Sequence, residues 1–477
     1  MKMKKIKYII TTFCLFALFA CNDATEILPE DNISEENAFA TVDDLVVGMN
    51  GVFSNYFPEA NIRFSSIFTD DTKIGEDSGN QEDNFHNWTL TSSTGNANSI
   101  WINSYFLINS ANRLIQAAST IAPSADEVDT YNNILGECYA LRALAHLDLL
   151  SFYSTDFEAN TPAVPYIDYV VLLDQPARNT FGEVAEGIKN DLITADGFID
   201  ESIVDKTRIT KDFLKAVRAR LALYEGDYAT AETLSGQLIA DYPLANQQQY
   251  LDMYNADDET EVIFKAARVQ GDFITGGIWM FTNNGGSFIE VSNELVSIIP
   301  AGDVRDSVIW TNVDATGTVD TQERVNKYPA GSTSGVNYLN DIKVFRSSEM
   351  VLINAEAKAR KAGPDFAGAA MMVQSIRDAR TGSTGTPPNY TSVSVAMEDI
   401  LFERRLELAF EGHRYVDLRR TRSITNLGIE RSSDLGDCES NVTPECTLSP
   451  IDPRFTLPIP NTELDGNANI SQTQGYN

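Results

Sequence analysis

Apolar residues recur at helical spacing along most of the chain, and the stretches where that period fails are as informative as those where it holds. Runs 99–118, 125–152, 181–198, 211–242, 347–361, 366–380 and 395–411 carry apolar side chains at three- and four-residue intervals, which predicts helices packed on one face. Within 399–422, Phe402, Leu406, Ala409 and Phe410 fall at i, i+4, i+7 and i+8, while Leu401, Leu408 and Tyr415 repeat at seven. One broad stripe faces a core. Gly412 is expected to close that helix in the left-handed conformation, with 413–420 opening a second helical piece in a new direction.

Two regions read helix, Gly turn, helix: ARLALYEGDYATAETLSGQLI from Ala219 and AEAKARKAGPDFAGAAMMVQSI from Ala355. Small Ala and Gly residues let neighbouring backbones approach, and stacked hairpins of this kind bury a continuous core, as in tetratricopeptide repeats. The expected fold is mainly α: an α/α superhelix of tetratricopeptide-like helix pairs with long irregular insertions. A single body, 34–477, is expected. It divides into an N-terminal helical part (34–250, with a loop at 57–98), an irregular insertion (251–341) and a C-terminal region (342–477).

The two irregular regions are rich in Gly, Asn, Asp, Thr and aromatic residues, and are too long to be plain connections. Sugar rings offer C–H faces that stack on aromatic rings, and hydroxyls that need amide or carboxylate partners. NQEDNFHNW from Asn80, TNNGG from Thr282 and NYLND from Asn337 combine these groups. For a sugar ligand the candidate contacts are Trp88, Trp279, Trp310, Tyr338, Asn80 and Asn337, with Phe281 and Phe288 among the other unusual aromatics. Trp101, with Tyr105 four residues on, is assigned to the core.

Charge narrows the partners. The formal net charge is -32, and the arginines of the 399–422 stretch alternate with glutamates, so a phosphate backbone would be repelled and no nucleic-acid partner is expected. Arg404, Glu407, Glu411 and Arg414 are expected to form a self-neutralised ion-pair stripe between packed helices. His86, His146 and His413 lie far apart and form no His-Glu-x-x-His pair, and GSTSG from Gly331 has Thr333 where a nucleophile elbow needs Ser. No Walker loop or dinucleotide fingerprint occurs. No catalytic residue, metal or cofactor is nominated.

The N-terminus carries Lys2, Lys4, Lys5 and Lys7 and then an apolar run from Tyr8 to Ala20, too short to span a bilayer: a secretory signal, 1–20. Leu18-Phe19-Ala20-Cys21 resembles a bacterial lipobox, which makes Cys21 the lipidated mature N-terminus and 21–33 a polar tether. Losing four lysines from -32 leaves about -36, a self-repelling surface that suits neutral rather than anionic ligands. Cys138 reads as a small buried residue. Cys438 and Cys446 bracket a polar loop in an oxidising compartment and are expected to form a disulfide.

LFERRLELAFEGHRYVDLRR resembles the C-terminal signature of the SusD/RagB family, the surface glycan-binding lipoproteins of Bacteroidetes-type bacteria. IKVFRSSEMVLINAEAKAR from Ile342 and FTLPIPNTELDGNANISQTQGYN resemble the family's preceding helix and chain ending. The resemblance implies a non-enzymatic protein, lipid-anchored on the outer face of the outer membrane. Such a protein binds an oligosaccharide or polysaccharide and hands it to a SusC-like TonB-dependent transporter. A glycoside hydrolase and a peptide-binding tetratricopeptide scaffold are the competing readings.

Overall fold

The computed structural model describes residues 38–331, 334–438 and 445–476. The signal, the tether and Cys21 lie outside the described residues, as does Thr333. The helical periods appear as α1 (Val42–Ser54), α2 (Glu59–Ile67), α3 (Gly95–Ala118), α4 (Val128–Tyr153), α5 (Phe181–Phe198), α6 (Lys211–Glu225), α7 (Tyr228–Asp241), α8 (Gln247–Asn255), α9 (Ser347–Arg360), α10 (Phe366–Thr381), α11 (Val393–Glu407) and α12 (Arg414–Thr425). The expected run 211–242 is a hairpin. Gly226, at φ 78°, ends α6 in the left-handed region, and the Asp227 side chain accepts from Thr230 N to start α7.

Sequence neighbours pack as spatial neighbours from α3 through α7. The row then continues from α7 to α9, and from α9 to α10 and α11. One continuous core runs from Leu45 to Ile470, and Trp101 sits in it at 3% exposure with Tyr105 and Tyr153 at 4.8 and 5.0 Å. Cys138 is buried and unbridged, and Cys438 is bonded to Cys446. The region expected to be irregular at 57–98 contains α2 and a strand; among the described residues the sheets are four two-stranded antiparallel ribbons.

The 399–422 stretch departs from its expected course. Helix α11 stops at Glu407, five residues before Gly412; Phe410 adopts φ 62° and Gly412 φ 90°. Buried contacts override the helical period here. The turn lets the Phe410 ring meet Trp279 edge-on at 5.6 Å and swings Glu411 onto Lys327.

Arg404, Glu407, Glu411 and Arg414 are all paired, with side chains 12% exposed or less, but not with one another. Glu407 binds Arg346 at 2.6 Å, Arg380 at 2.8 Å and Arg305 at 3.3 Å, while Glu411 binds Arg346 at 2.8 Å and Lys327. Arg404 pairs with Asp417, and Arg414 with Asp70, each at 2.7 Å. The expected self-neutralised stripe is thus a hub. It joins α10, α11 and α12 to the ends of β2 (Val262–Ala266) and β6 (Ile342–Arg346), because α11 ends where these elements converge.

Burial alone would raise the Glu411 pKa, but Arg346 and Lys327 hold it at about 2. A carboxylate depressed in the folded state contributes stability above its ordinary range, near 4.5, and that contribution is lost as pH falls through about 2. Glu411→Gln should therefore flatten the fall in urea midpoint between these two values. An unchanged slope would contradict the ion pair's role.

Candidate functional site

The two irregular regions fold against each other, and a shared ribbon is one of their contacts. From α2 the chain passes through Asp70 and Asp71 into β1 (Thr72–Ile74), which pairs antiparallel with β3 (Ile289–Val291), Thr72 opposite Val291. The ladder extends past the strand ends, Gly75 N donating to Phe288 O and Asp77 N to Ser287 O, each at 3.0 Å. Only glycine fits at 75, since a Cβ there would stand 2.4 Å from Ser287 O.

Strand β5 (Val319–Val325), paired with β4 (Trp310–Val313), packs beside this ribbon. Gln322 links the pieces: its Oε1 accepts from Ser287 N and its Nε2 donates to Asp77 Oδ2, both at 2.8 Å. Arg324 donates through Nε to Gly285 O at 2.6 Å and is neutralised by Asp320. The Tyr338 hydroxyl lies against Gly285, where a Cβ would be 2.6 Å away. It has no hydrogen-bond partner among the described residues, and burial raises its pKa.

What faces outward is polar. Glu76, Asp77, Gly79, Asn80 and Gln81 from the first region, with Asn283 and Asn284 from the second, are exposed, and the Phe281 ring is half-buried beside them, 5.5 Å from Phe288. This face presents an aromatic edge, amides and carboxylates, with its cations already paired. Lys73, beneath it, is held by Asn293 at 2.8 Å and by Glu323.

The ion hub fixes the roots of this face. Arg405 and Arg414 grip Asp71 and Asp70 just before β1, and Lys327, just after β5, is bound by Glu411. These contacts keep two long loops in register, which is the role that residues of a rigid scaffold play for a loop-built site.

The sequence-predicted contacts separate into two groups. Trp88 and Trp279 are 1% and 0% exposed, so neither offers a ring face to a ligand, and the expectation is corrected for both. The Trp88 indole N–H donates to Phe68 O at 2.7 Å beneath the Arg431 guanidinium. That of Trp279 donates to Ser66 Oγ at 3.0 Å, and its ring stacks on Tyr328 at 5.8 Å. Both rings brace the end of α2 because the core of this large body reaches under its loops. Tyr338, 3% exposed, is likewise a supporting ring rather than an open platform.

Asn80 is exposed on the polar face. Asn337 is exposed but spends its Oδ1 on Gly331 N at 2.9 Å, and half-buried Trp310 donates to Asp306 Oδ1 at 2.8 Å, at the root of the β4–β5 ribbon and not its tip. Asp77, Gln322 and Arg324 were not singled out in the sequence. Asp77 and Gln322 pair across 245 residues and Arg324 reaches Gly285 across 39, and no local pattern encodes either contact.

The architecture is that of the SusD superfamily. A SusD superfamily protein from Bacteroides vulgatus superposes with a TM-score of 0.77 at 22% identity, covering 92% of this chain and all of that one. A structure described as a laminarin binding SusD-like protein gives 0.70 at 22% identity, over 92% of this chain and all of its own. The chain itself belongs to the SusD family. Residues 278–476 match the SusD family, and residues 26–223 match the group described as starch-binding associating with outer membrane. SusD-like protein P38 of Formosa agariphila is 25% identical over 88% of this chain and 92% of its own. No helix of the described residues is long and apolar enough to cross a membrane.

Proposed function

We propose that this protein captures a neutral glycan on the face built by Asn80, Asp77, Asn284 and Phe281 and delivers it to a SusC-like TonB-dependent transporter, without chemistry of its own. The observation that carries the reading is membership of the SusD family, together with an exposed loop face whose groups suit sugar. The similarity to a laminarin binding SusD-like protein favours a neutral polymer, as does a net charge of -32. Phe281 supplies a surface for a pyranose C–H face, and the amides and carboxylate take the hydroxyls.

A glycan array probed with the soluble body tests this. Affinity for a neutral polysaccharide with no release of reducing sugar is expected. Turnover would favour a glycoside hydrolase, and binding confined to peptides a tetratricopeptide-type scaffold.

Anchoring is a separate proposal: Cys21 carries the lipid that holds the body on the cell exterior at the outer membrane. Cys21→Ser should move the protein from the membrane fraction to the soluble one with unchanged melting, since the body's core begins well beyond the tether. Equal membrane retention would overturn it.

A further inference from the structure

A concave site lies at the opposite end of α2 from the polar loop face. A cavity of about 410 Å³ opens between α1, the start of α2, the end of β2 and the segment that follows it. That volume falls within the roughly 300–1,000 Å³ usual for small-molecule sites. Its walls are aromatic. Phe53, Phe57 and Phe273 line it, with Phe57 and Phe273 edge-to-face at 5.4 Å and Phe273 40% exposed. Aromatic surface left open to water in this way forgoes the stabilisation of burial.

The polar groups at the rim settle the charge of what would fit. Two arginines line the cavity and both are already neutralised. Arg268 forks onto Glu59 at 2.7 and 2.9 Å, and Arg208 forks onto Glu137, with its guanidinium carbon 5.0 Å over the Phe53 ring. Among the described residues that line the cavity, no unpaired cation remains for a sulfate or uronate. Asp272 uses one carboxylate oxygen on Val269 N at 2.8 Å and keeps the other, while the Asn50 side chain is exposed and makes no hydrogen bond among the described residues. Apolar ring edges flanked by an amide, a carboxylate oxygen and the unused Arg208 Nη1 offer both acceptors and donors to hydroxyls, around a surface for a C–H face.

We propose that this cavity is a second glycan subsite, taking one neutral pyranose ring against Phe57 and Phe273, with Asn50 and Asp272 on its hydroxyls. The proposal rests on the glycan-binding reading above and assigns it a further site. Two sites on one rigid body would let a polysaccharide engage at two points, raising avidity without new contacts at either.

The test uses protein labelled with 4-fluorophenylalanine, with the Phe57 and Phe273 resonances assigned from the Phe57→Leu and Phe273→Leu variants, which keep apolar bulk and lose the ring. Methyl glycosides of glucose, galactose and mannose are titrated to 50 mM, and glucuronate serves as the charged control. The expected result is a saturable shift of both resonances with at least one neutral glycoside. Glucuronate should give none, and affinity should fall at least fivefold in Phe273→Leu as read at the Phe57 resonance. Absence of a saturable shift with every neutral glycoside overturns the proposal, as does equal binding of glucuronate. If the same preparation still binds polysaccharide on the array, the glycan reading stands while the second subsite falls.

Discussion

Glu407→Ala should cost about 3–5 kcal/mol of stability, the range for removing one partner from a buried ion pair. Glu407 is fully buried, and it accepts from Arg346, Arg380 and Arg305. Burial alone would raise its pKa, but those arginines hold the carboxyl well below the usual range, so it is charged in the folded protein. Alanine leaves the three guanidiniums with the carboxylates of Glu261, Glu411, Asp303 and Glu403 and with neutral acceptors such as Ala245 O, and with a void where the central carboxylate stood. Against a typical total of about 5–15 kcal/mol this is a large fraction. Glu407→Gln keeps the shape and one acceptor, so it should lose less; equal losses would show that packing, not charge, holds the hub. Denaturant unfolding of both variants decides between them.

Trp279→Ala should cost about 3–5 kcal/mol as well, for a different reason. The indole is fully buried between Tyr328 and Phe410, and its N–H satisfies Ser66 Oγ. Truncation opens a cavity beneath residues 276–288 and removes a partner from a buried hydroxyl at the end of α2. Calorimetric melting should show a large drop. A variant that melts normally and loses only sugar affinity would return Trp279 to the ligand surface, against its observed burial.

The contrast between these residues shows what could be read from sequence. Helical period places α5, α9 and α10 within a residue or two, because their faces meet neighbours along the whole length. It fails at Phe410, where one ring contact and one ion pair outweigh a local pattern. The arginines and glutamates of 399–422 announce a buried charge network, yet their partners Asp70, Arg305, Lys327, Arg346 and Arg380 come from five distant segments, so the pairing is not legible. Composition marks 57–98 and 251–341 as unusual without showing the helix α2 inside the first, and the structure joins the two through β1 and β3. It misleads on tryptophan. In a large body the core extends beneath the loops, and the biggest rings of a loop-rich region, Trp88 and Trp279, are drawn into it.

The claim that matters most is that the exposed loop face binds sugar. Titration calorimetry with the neutral oligosaccharide selected on the array, using wild type, Phe281→Ala and Asn80→Ala, tests it directly. Losing a stacked ring should weaken binding tenfold or more, about 1.4 kcal/mol, for Phe281→Ala. Asn80→Ala should show a smaller loss, and both variants should remain folded by near-ultraviolet dichroism. Binding of both variants with wild-type affinity, or no heat of binding from the wild type with any neutral glycan, would contradict the account.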